Sequence, residues 1–321
     1  MDWAWISYSF LCCLAISAAP LCDDACLLQA SSWDLPLQLE QTESSLDSLD
    51  PVVGTSLKNM RIAVYTANIG GYDEVRHKYI AQVPEGIDAF YFLDVKSMRN
   101  NEKALHVWRK QGWNISMYSQ IDGTQFVNGP RLSGKQIKFT PPRWIVDGYD
   151  WLIYQDANVM INLVEMESFL RLRQKHALVL LDWCHEYPMC CGQGMKCFNE
   201  STRYYIKEAP KRIPEDAPAF LNKMNAWRDF VVKSYNQEKL SIPRLYSLPI
   251  IFRNLKHTKA ADVELAFAET FQKLHEIRTD TPVLPVFLSD HNVSEDVGAV
   301  NFNELHRLGF RKVSNHKFLD L

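Results

Sequence analysis

The chain lacks the signatures of several large protein classes, and each gap narrows what it does. No block of Lys or Arg interrupts it. The 35 basic residues stand against 38 acidic ones, a net charge of −3 at pH 7, which leaves no electrostatic footprint for nucleic acid. Basic side chains are missing altogether before Lys58. Beyond the N-terminus no apolar run approaches the roughly 20 residues needed to span a bilayer. Neither Gly-x-Gly-x-x-Gly nor Gly-Lys-Ser/Thr occurs, so the dinucleotide fingerprint and the Walker loop are both excluded. No internal repeat is present, which removes solenoids and propellers.

What remains has an ordinary globular composition, 47% hydrophobic and 23% charged in 321 residues, enough to bury a large core. Residues 1–20 are uncharged after Asp2 and end in Ser17-Ala18-Ala19-Pro20. This is the pattern of a secretory signal peptide, or of a signal anchor if it stays uncleaved. Either delivers the rest of the chain to the lumen of the secretory pathway, and cleavage would lead to secretion. Residues 21–59 are acidic and rich in Ser and Leu, as in a stem or linker. The folded domain is expected over residues 60–321, with a Cys-rich insert at 184–197. Outside the leader stand Cys22 and Cys26, then Cys184, Cys190, Cys191 and Cys197. An even set in a secretory setting points to disulfides, and a zinc site that includes His185 is the competing arrangement. The sequons at Asn114, Asn199 and Asn292 suit a luminal glycoprotein.

Within the domain, apolar runs alternate with helical patterns. Strands are expected at Ile62–Ala67, Ile87–Asp94, Trp113–Tyr118, Trp151–Tyr154, Ala177–Asp182 and Leu245–Arg253. Helices are expected at 103–111, 164–175, 203–209, 218–235 and 261–278, with a loop over 122–133. Alternation of this kind argues an α/β layered domain. Several strands end on polar residues. Gly70-Gly71 follows the first strand, Asp94 closes the second, and Asp156-Ala-Asn158 closes the fourth. In open α/β sheets the crevice beyond the carboxyl ends of the strands is where ligands bind. A carboxylate with an amide two residues on can face a metal-bound diphosphate, or can simply make an Asx turn. Lys135 and Lys138 share one face if their segment is helical, either as a diphosphate clamp or as a solvated surface.

Taken in order, Tyr65-Thr-Ala-Asn-Ile-Gly-Gly-Tyr-Asp73, Tyr91-Phe-Leu-Asp94, the Lys135/Lys138 segment and Tyr149-Asp-Trp-Leu-Ile-Tyr-Gln-Asp-Ala-Asn158 resemble a known domain. It is the glycosyltransferase-like family once called DUF616, which includes plant Golgi proteins of pectin and mucilage synthesis. The resemblance spans Arg61 to Phe287 and takes in Ser247-Leu-Pro-Ile-Ile-Phe-Arg253. Where the family has an Arg-Asp-Gln-like motif, this chain has Arg278-Thr-Asp280-Thr-Pro.

The resemblance implies a GT-A-like, Rossmann-like fold with a mixed central sheet flanked by helices. It implies a glycosyltransferase that moves a sugar from a nucleotide-diphosphate donor to a glycan or glycoprotein acceptor. On that basis Thr66, Asn68, Tyr72, Asp73, Asp94, Lys135 and Lys138 hold the nucleotide sugar, and Asp156 and Asp280 are the catalytic candidates, Asp280 as base or acceptor contact. Asp156, Asn158 and His185 are the metal candidates, for Mn²⁺ or Mg²⁺. Because Asn158 is neutral, transfer without a metal stays open. Two other readings are kept. One is a non-catalytic nucleotide-sugar or carbohydrate binder on the same fold. The other is a metal-dependent hydrolase gathering Asp156, His185 and His291.

Overall fold

Ile62–Asn68 forms β1, and all seven of its residues are buried. A strand covered on both faces is expected of such a continuous apolar run. The computed structural model describes residues 60–71, 81–118, 130–182, 194–212, 217–236 and 244–312, within a unit from Leu57 to Leu321. β2 (Ile87–Leu93), α1 (Val95–Asn100), α2 (Glu102–Lys110) and β3 (Trp113–Met117) follow. α3 (Pro130–Phe139) and the short α4 (Arg143–Val146) lead into β4 (Trp151–Gln155). Next come β5 (Val159–Met160), α5 (Met166–Arg171), β6 (Leu178–Asp182), α6 (Met195–Arg212) and α7 (Ala217–Asn236). β7 (Tyr246–Asn254), α8 (Ala260–Ile277), α9 (Leu284–Asp290), β8 (Val297–Val300), α10 (Phe302–Arg307) and β9 (Arg311–Lys312) complete the order.

Seven strands make one mixed sheet in the order β3-β2-β1-β4-β7-β6-β8, and β5 pairs with β9 in a small ribbon. β7 runs antiparallel to both of its neighbours, and the other pairings in the large sheet are parallel. The expected α/β architecture, a mixed sheet flanked by helices, is therefore present. The chain steps from β1 outward to β2 and β3, then returns to β4 on the other side of β1. That reversal leaves a crevice at the carboxyl ends of β1 and β4, the switch point where open α/β sheets take their ligands.

Alternation along the strands divides the core. Val64, Tyr91, Trp108, Trp113, Ile153 and Met166 pack on one face. Tyr65, Phe92, Phe139, Tyr154 and Phe267 pack on the other. Each large side chain fully removed from water contributes about 1.5–3 kcal/mol. A third cluster joins Phe198 of α6 and Met224, Trp227 and Val231 of α7 to Val286 of α9. In the helix expected over 218–235, helical spacing puts Phe230 in the core beside Phe220, Met224 and Trp227; it is instead 55% exposed and stacks on Trp227 at 5.5 Å between ring centroids. Among the described residues no helix is long and apolar enough to cross a membrane.

Some elements differ from expectation. α3 begins at Pro130, inside the expected loop, because proline fits the first turn of a helix where its missing N–H is not needed. The helix expected over 164–175 shortens to Met166–Arg171. Its N-cap Glu165 makes no capping bond, and Val164 and Leu172 beside it are exposed. The four-residue β8 was not foreseen, since glycine weakens strand propensity. Gly298 is required there by packing: a Cβ would stand 2.7 Å from the His176 ring.

Candidate active site

β4 ends at Gln155, and the chain turns at once, with Val159 N–H donating to the Asp156 carbonyl at 2.9 Å. The turn reading of Asp156-Ala-Asn158 is thus realised, and it aims the Asp156 side chain into the crevice. Strand β7 fixes the turn from the side. Its register against β6 shifts between Leu180 and Leu181, a bulge opposite Pro249, which has no N–H to give the ladder. The Pro249 carbonyl accepts the Asp156 N–H at 2.8 Å.

α3 delivers both lysines to the same place, one helical turn apart. Lys138 Nζ lies 3.5 Å from Asp156 Oδ1 and 3.2 Å from Asp280 Oδ2, and Lys135 Nζ pairs with the same Asp280 oxygen. Tyr154 donates its phenol to Asp156 Oδ1 at 2.8 Å. The side chains are graded in exposure: Lys138 is 3% exposed, Asp280 11%, Lys135 22% and Asp156 30%. A ligand arriving from solvent therefore meets Lys135 and Asp156 first, with Lys138 beneath them. The Lys138 ammonium also lies 5.1 Å from the Tyr154 ring centroid and 5.9 Å from that of Phe139.

Electrostatics follow from this burial. Burial alone would raise the Asp280 carboxyl, but the Lys135 and Lys138 ammoniums outweigh it and hold the group well below the usual carboxylate range. Burial pulls Lys135 down to about 8, with repulsion from Lys138 added and the attraction of Asp280 and Asp156 only partly offsetting it. Lys138 is also penalised by burial, yet Asp156 and Asp280 raise it above its ordinary value. Burial, then Asp156, pushes the Tyr154 phenol well up, so it remains a donor. Lys135 loses its charge as pH rises through about 8, so the share of pyrophosphate affinity that Lys135→Ala removes is expected to be smaller at pH 9 than at pH 7. Calorimetry of wild type and Lys135→Ala at both pH values reads it, with the ligand's own titration common to the two proteins; an equal loss at the two pH values would contradict the assignment.

Arg253 on β7, which sequence reasoning passed over, is a buried charge supporting the cluster. It is 1% exposed, donates to the Phe139 carbonyl at 3.3 Å and to the Lys138 carbonyl, and pairs with Glu264 at 3.4 Å. Its guanidinium carbon sits 4.0 Å from the Phe267 ring centroid. The Lys138 carbonyl also accepts from Tyr65 at 3.1 Å, and burial pushes that phenol up to about 12. The carbonyl end of α3, orphaned as every helix terminus is, is thus tied to β1 and β7. The available signal was a charge ending the apolar run Leu248-Pro-Ile-Ile-Phe.

The remaining candidates take other places. Asp94 caps α1 by accepting from Ser97 N–H at 2.8 Å, and it accepts from Gly70 N–H at 3.0 Å. Gly71 N–H donates to Ser97 Oγ at 2.7 Å, with both glycines at positive φ. Beside this turn a cavity of about 530 Å³ is lined by Asp94, Val95, Lys96, Arg99 and Asn100. Thr66 and Asn68 are buried on the sheet face opposite Tyr65, with Asn68 donating to the Tyr91 hydroxyl at 3.4 Å. They do not join the lysine cluster. Asn158 is buried in the turn. Tyr72, Asp73 and His185 lie outside the described residues, as do all the cysteines except the buried Cys197.

Among the described residues the donor set does not fit a divalent cation, and the candidate His185 lies outside them. Mn²⁺ and Mg²⁺ need several converging oxygen ligands, and among the described residues no three His, Cys, Asp or Glu side chains converge. The two carboxylates that do face one crevice are already bridged by the Lys138 ammonium. Of the hydrolase set, His291 faces Glu269 at 3.2 Å, and His185 lies outside the described residues.

No family model matches the chain, and no curated protein matches it. Solved structures do resemble it. The WbbM bifunctional glycosyltransferase in its apo form is 9% identical over 77% of this chain and 40% of that one, with a TM-score of 0.39. The glycosyltransferase GlyE of Streptococcus pneumoniae TIGR4 is 9% identical over 75% and 45%, with a TM-score of 0.37. The galactosyltransferase LgtC, in complex with donor and acceptor sugar analogues, is 12% identical over 74% and 73%, with a TM-score of 0.37. The alignments cover 40% and 45% of the first two, so this chain matches less than half of each. The structures it resembles are thus described as glycosyltransferases, while its α/β fold stands on its own strand order and register.

Proposed function

We propose that this chain is a glycosyltransferase that moves a sugar from a nucleotide-diphosphate donor to a hydroxyl of a glycan or glycoprotein in the secretory-pathway lumen. The observation that carries this reading is the convergence of Lys135, Lys138, Asp156 and Asp280 at the β1/β4 switch point. A diphosphate is the ligand whose charge such a lysine pair matches. The cavity beside Asp94 lies at the same edge, beyond β2, two interstrand spacings or roughly 10 Å from β4. It takes the nucleoside while the lysines take the phosphates.

In the reaction the bond from the anomeric carbon to the diphosphate oxygen breaks, and its electron pair leaves on the diphosphate. A new bond forms from the acceptor hydroxyl oxygen, whose proton passes to solvent. The products are the glycoside, a nucleoside diphosphate and one proton. Preorganised positive charge at the leaving oxygen is what lowers such a barrier. Asp280, held low by two ammoniums, is a weak base, since efficient bases titrate near the working pH. It acts instead as the anchor of the lysines.

The leader at residues 1–20 supports a luminal, Golgi-type location. Sensitivity of the expressed protein to endoglycosidase checks it. For the activity, thermal shift and calorimetry against UDP-, GDP-, ADP- and CMP-sugars, with and without Mn²⁺, are the direct test. Stabilisation by one nucleotide class is expected, and a panel with no binder removes the reading.

A further inference from the structure

Building on that reading, we propose that the site binds and releases its diphosphate without a divalent cation, the Lys135 and Lys138 ammoniums standing where a metal ion would bridge donor and protein. A metal-bridged diphosphate needs protein carboxylates whose oxygens are open to the ion. Here one oxygen of each carboxylate is already engaged, Asp156 Oδ1 by Lys138 and the Tyr154 hydroxyl and Asp280 Oδ2 by both lysines, and Lys138 stands between the two groups.

Seating an ion between these carboxylates means displacing Lys138. That side chain is closely held. It is 3% exposed, it packs against the rings of Tyr154 and Phe139, and its backbone carbonyl is clamped by Arg253 and Tyr65. The displaced ammonium would stay beside the ion, with Lys135 on the other side of Asp280. Three positive centres would then share two carboxylates in a partly buried crevice. Like charges so placed repel strongly because little water screens them.

A diphosphate makes the opposite exchange. Lys135, the more exposed lysine, swings from Asp280 to a phosphate oxygen. Lys138 remains on Asp156 and Asp280 and presents a further N–H donor from below. An ammonium carries three donors, so Lys138 can serve two carboxylates and a phosphate at once. As the sugar–oxygen bond breaks, the negative charge gathering on the departing oxygen meets two fixed positive charges. Asp280 keeps those charges together while the site is empty, where they would otherwise repel. Asn158, the neutral metal candidate two residues beyond Asp156, is buried in the turn.

The test uses UDP, GDP and inorganic pyrophosphate as probes on the full chain. Each is titrated by calorimetry in excess EDTA and again in millimolar Mg²⁺ or Mn²⁺, and turnover of any donor found is measured in the same two conditions. Affinity and turnover that agree within about threefold are expected. Binding that appears only with metal, or tightens more than tenfold with it, overturns metal-free binding while leaving the transferase reading intact. Binding in neither condition overturns the reading beneath it. Lys135→Ala is expected to weaken pyrophosphate in EDTA by roughly ten- to a hundredfold, the range for a charge-assisted hydrogen bond. Because Lys135 is partly exposed, this variant is expected to keep the wild-type circular dichroism. A folded Lys135→Ala that binds pyrophosphate as tightly as wild type also overturns the proposal.

Discussion

Replacing Lys138 by methionine is expected to lower kcat by roughly 10²–10³-fold, the loss that follows removal of one donor aimed at developing charge. Methionine keeps the length and the packing against Tyr154 and Phe139, so the variant removes charge more than volume. Asp280 keeps Lys135, and Asp156 keeps the Tyr154 phenol, which limits the collateral damage. The stability cost still has to be measured, since removing one member of a buried pair costs about 3–5 kcal/mol. A thermal melt beside the turnover assay separates the two effects. A variant that melts below wild type yet turns over at the wild-type rate when folded would leave Lys138 a structural ion pair and no more. Lys135→Met makes the useful contrast, because Lys135 is the rim lysine: diphosphate affinity should fall while stability changes little.

Arg253→Met is expected to destabilise the fold by about 3–5 kcal/mol, which in a domain of this size is roughly a 10 °C fall in Tm. Three losses combine. The Phe139 carbonyl loses its guanidinium donor, the Lys138 carbonyl retains only Tyr65, and Glu264 loses its partner. The stacking on Phe267 goes as well. Arg253→Lys is the informative companion. It restores the charge without the planar fork that reaches two carbonyls and a carboxylate together. Stability is therefore expected to rank wild type, then Arg253→Lys, then Arg253→Met. Because Arg253 holds the carbonyl of Lys138 itself, activity should fall in the same order in protein that is fully folded at the assay temperature. Denaturant melts read the first ranking and steady-state kinetics the second. An Arg253→Met protein within 1 kcal/mol of wild type would mean that the clamp is not what holds the end of α3.

Local chemistry was legible wherever neighbours in sequence are neighbours in space. The strands at Ile62, Ile87, Trp151 and Leu178 begin within a residue of where the apolar runs place them, because burial leaves a nearly unbroken hydrophobic signature, while the partly buried strand at Trp113 shows alternating faces instead. The lysine pair on α3 was visible for a related reason, since three residues are nearly one helical turn. β8 was not visible, because Val-Gly-Ala-Val carries little strand propensity and is held by its parallel partner β6. Phe230 was placed in the core because its spacing fits a helix. Only the position of α9 decides which part of α7 is covered.

The sequence by itself determined an α/β chain with polar residues at strand tips and two lysines on one helical face. Tertiary structure decided what those residues do. Strand order placed β4 next to β1 and so created the crevice. The antiparallel β7 brought Pro249 to the Asp156 backbone and Arg253 to the end of α3. The α8–α9 connection carried Asp280 to both lysines. Periodicity along a chain encodes which face is buried. It holds no information on which distant carboxylate an ammonium will meet, and here that meeting sets the Lys138 ammonium between Asp156 and Asp280.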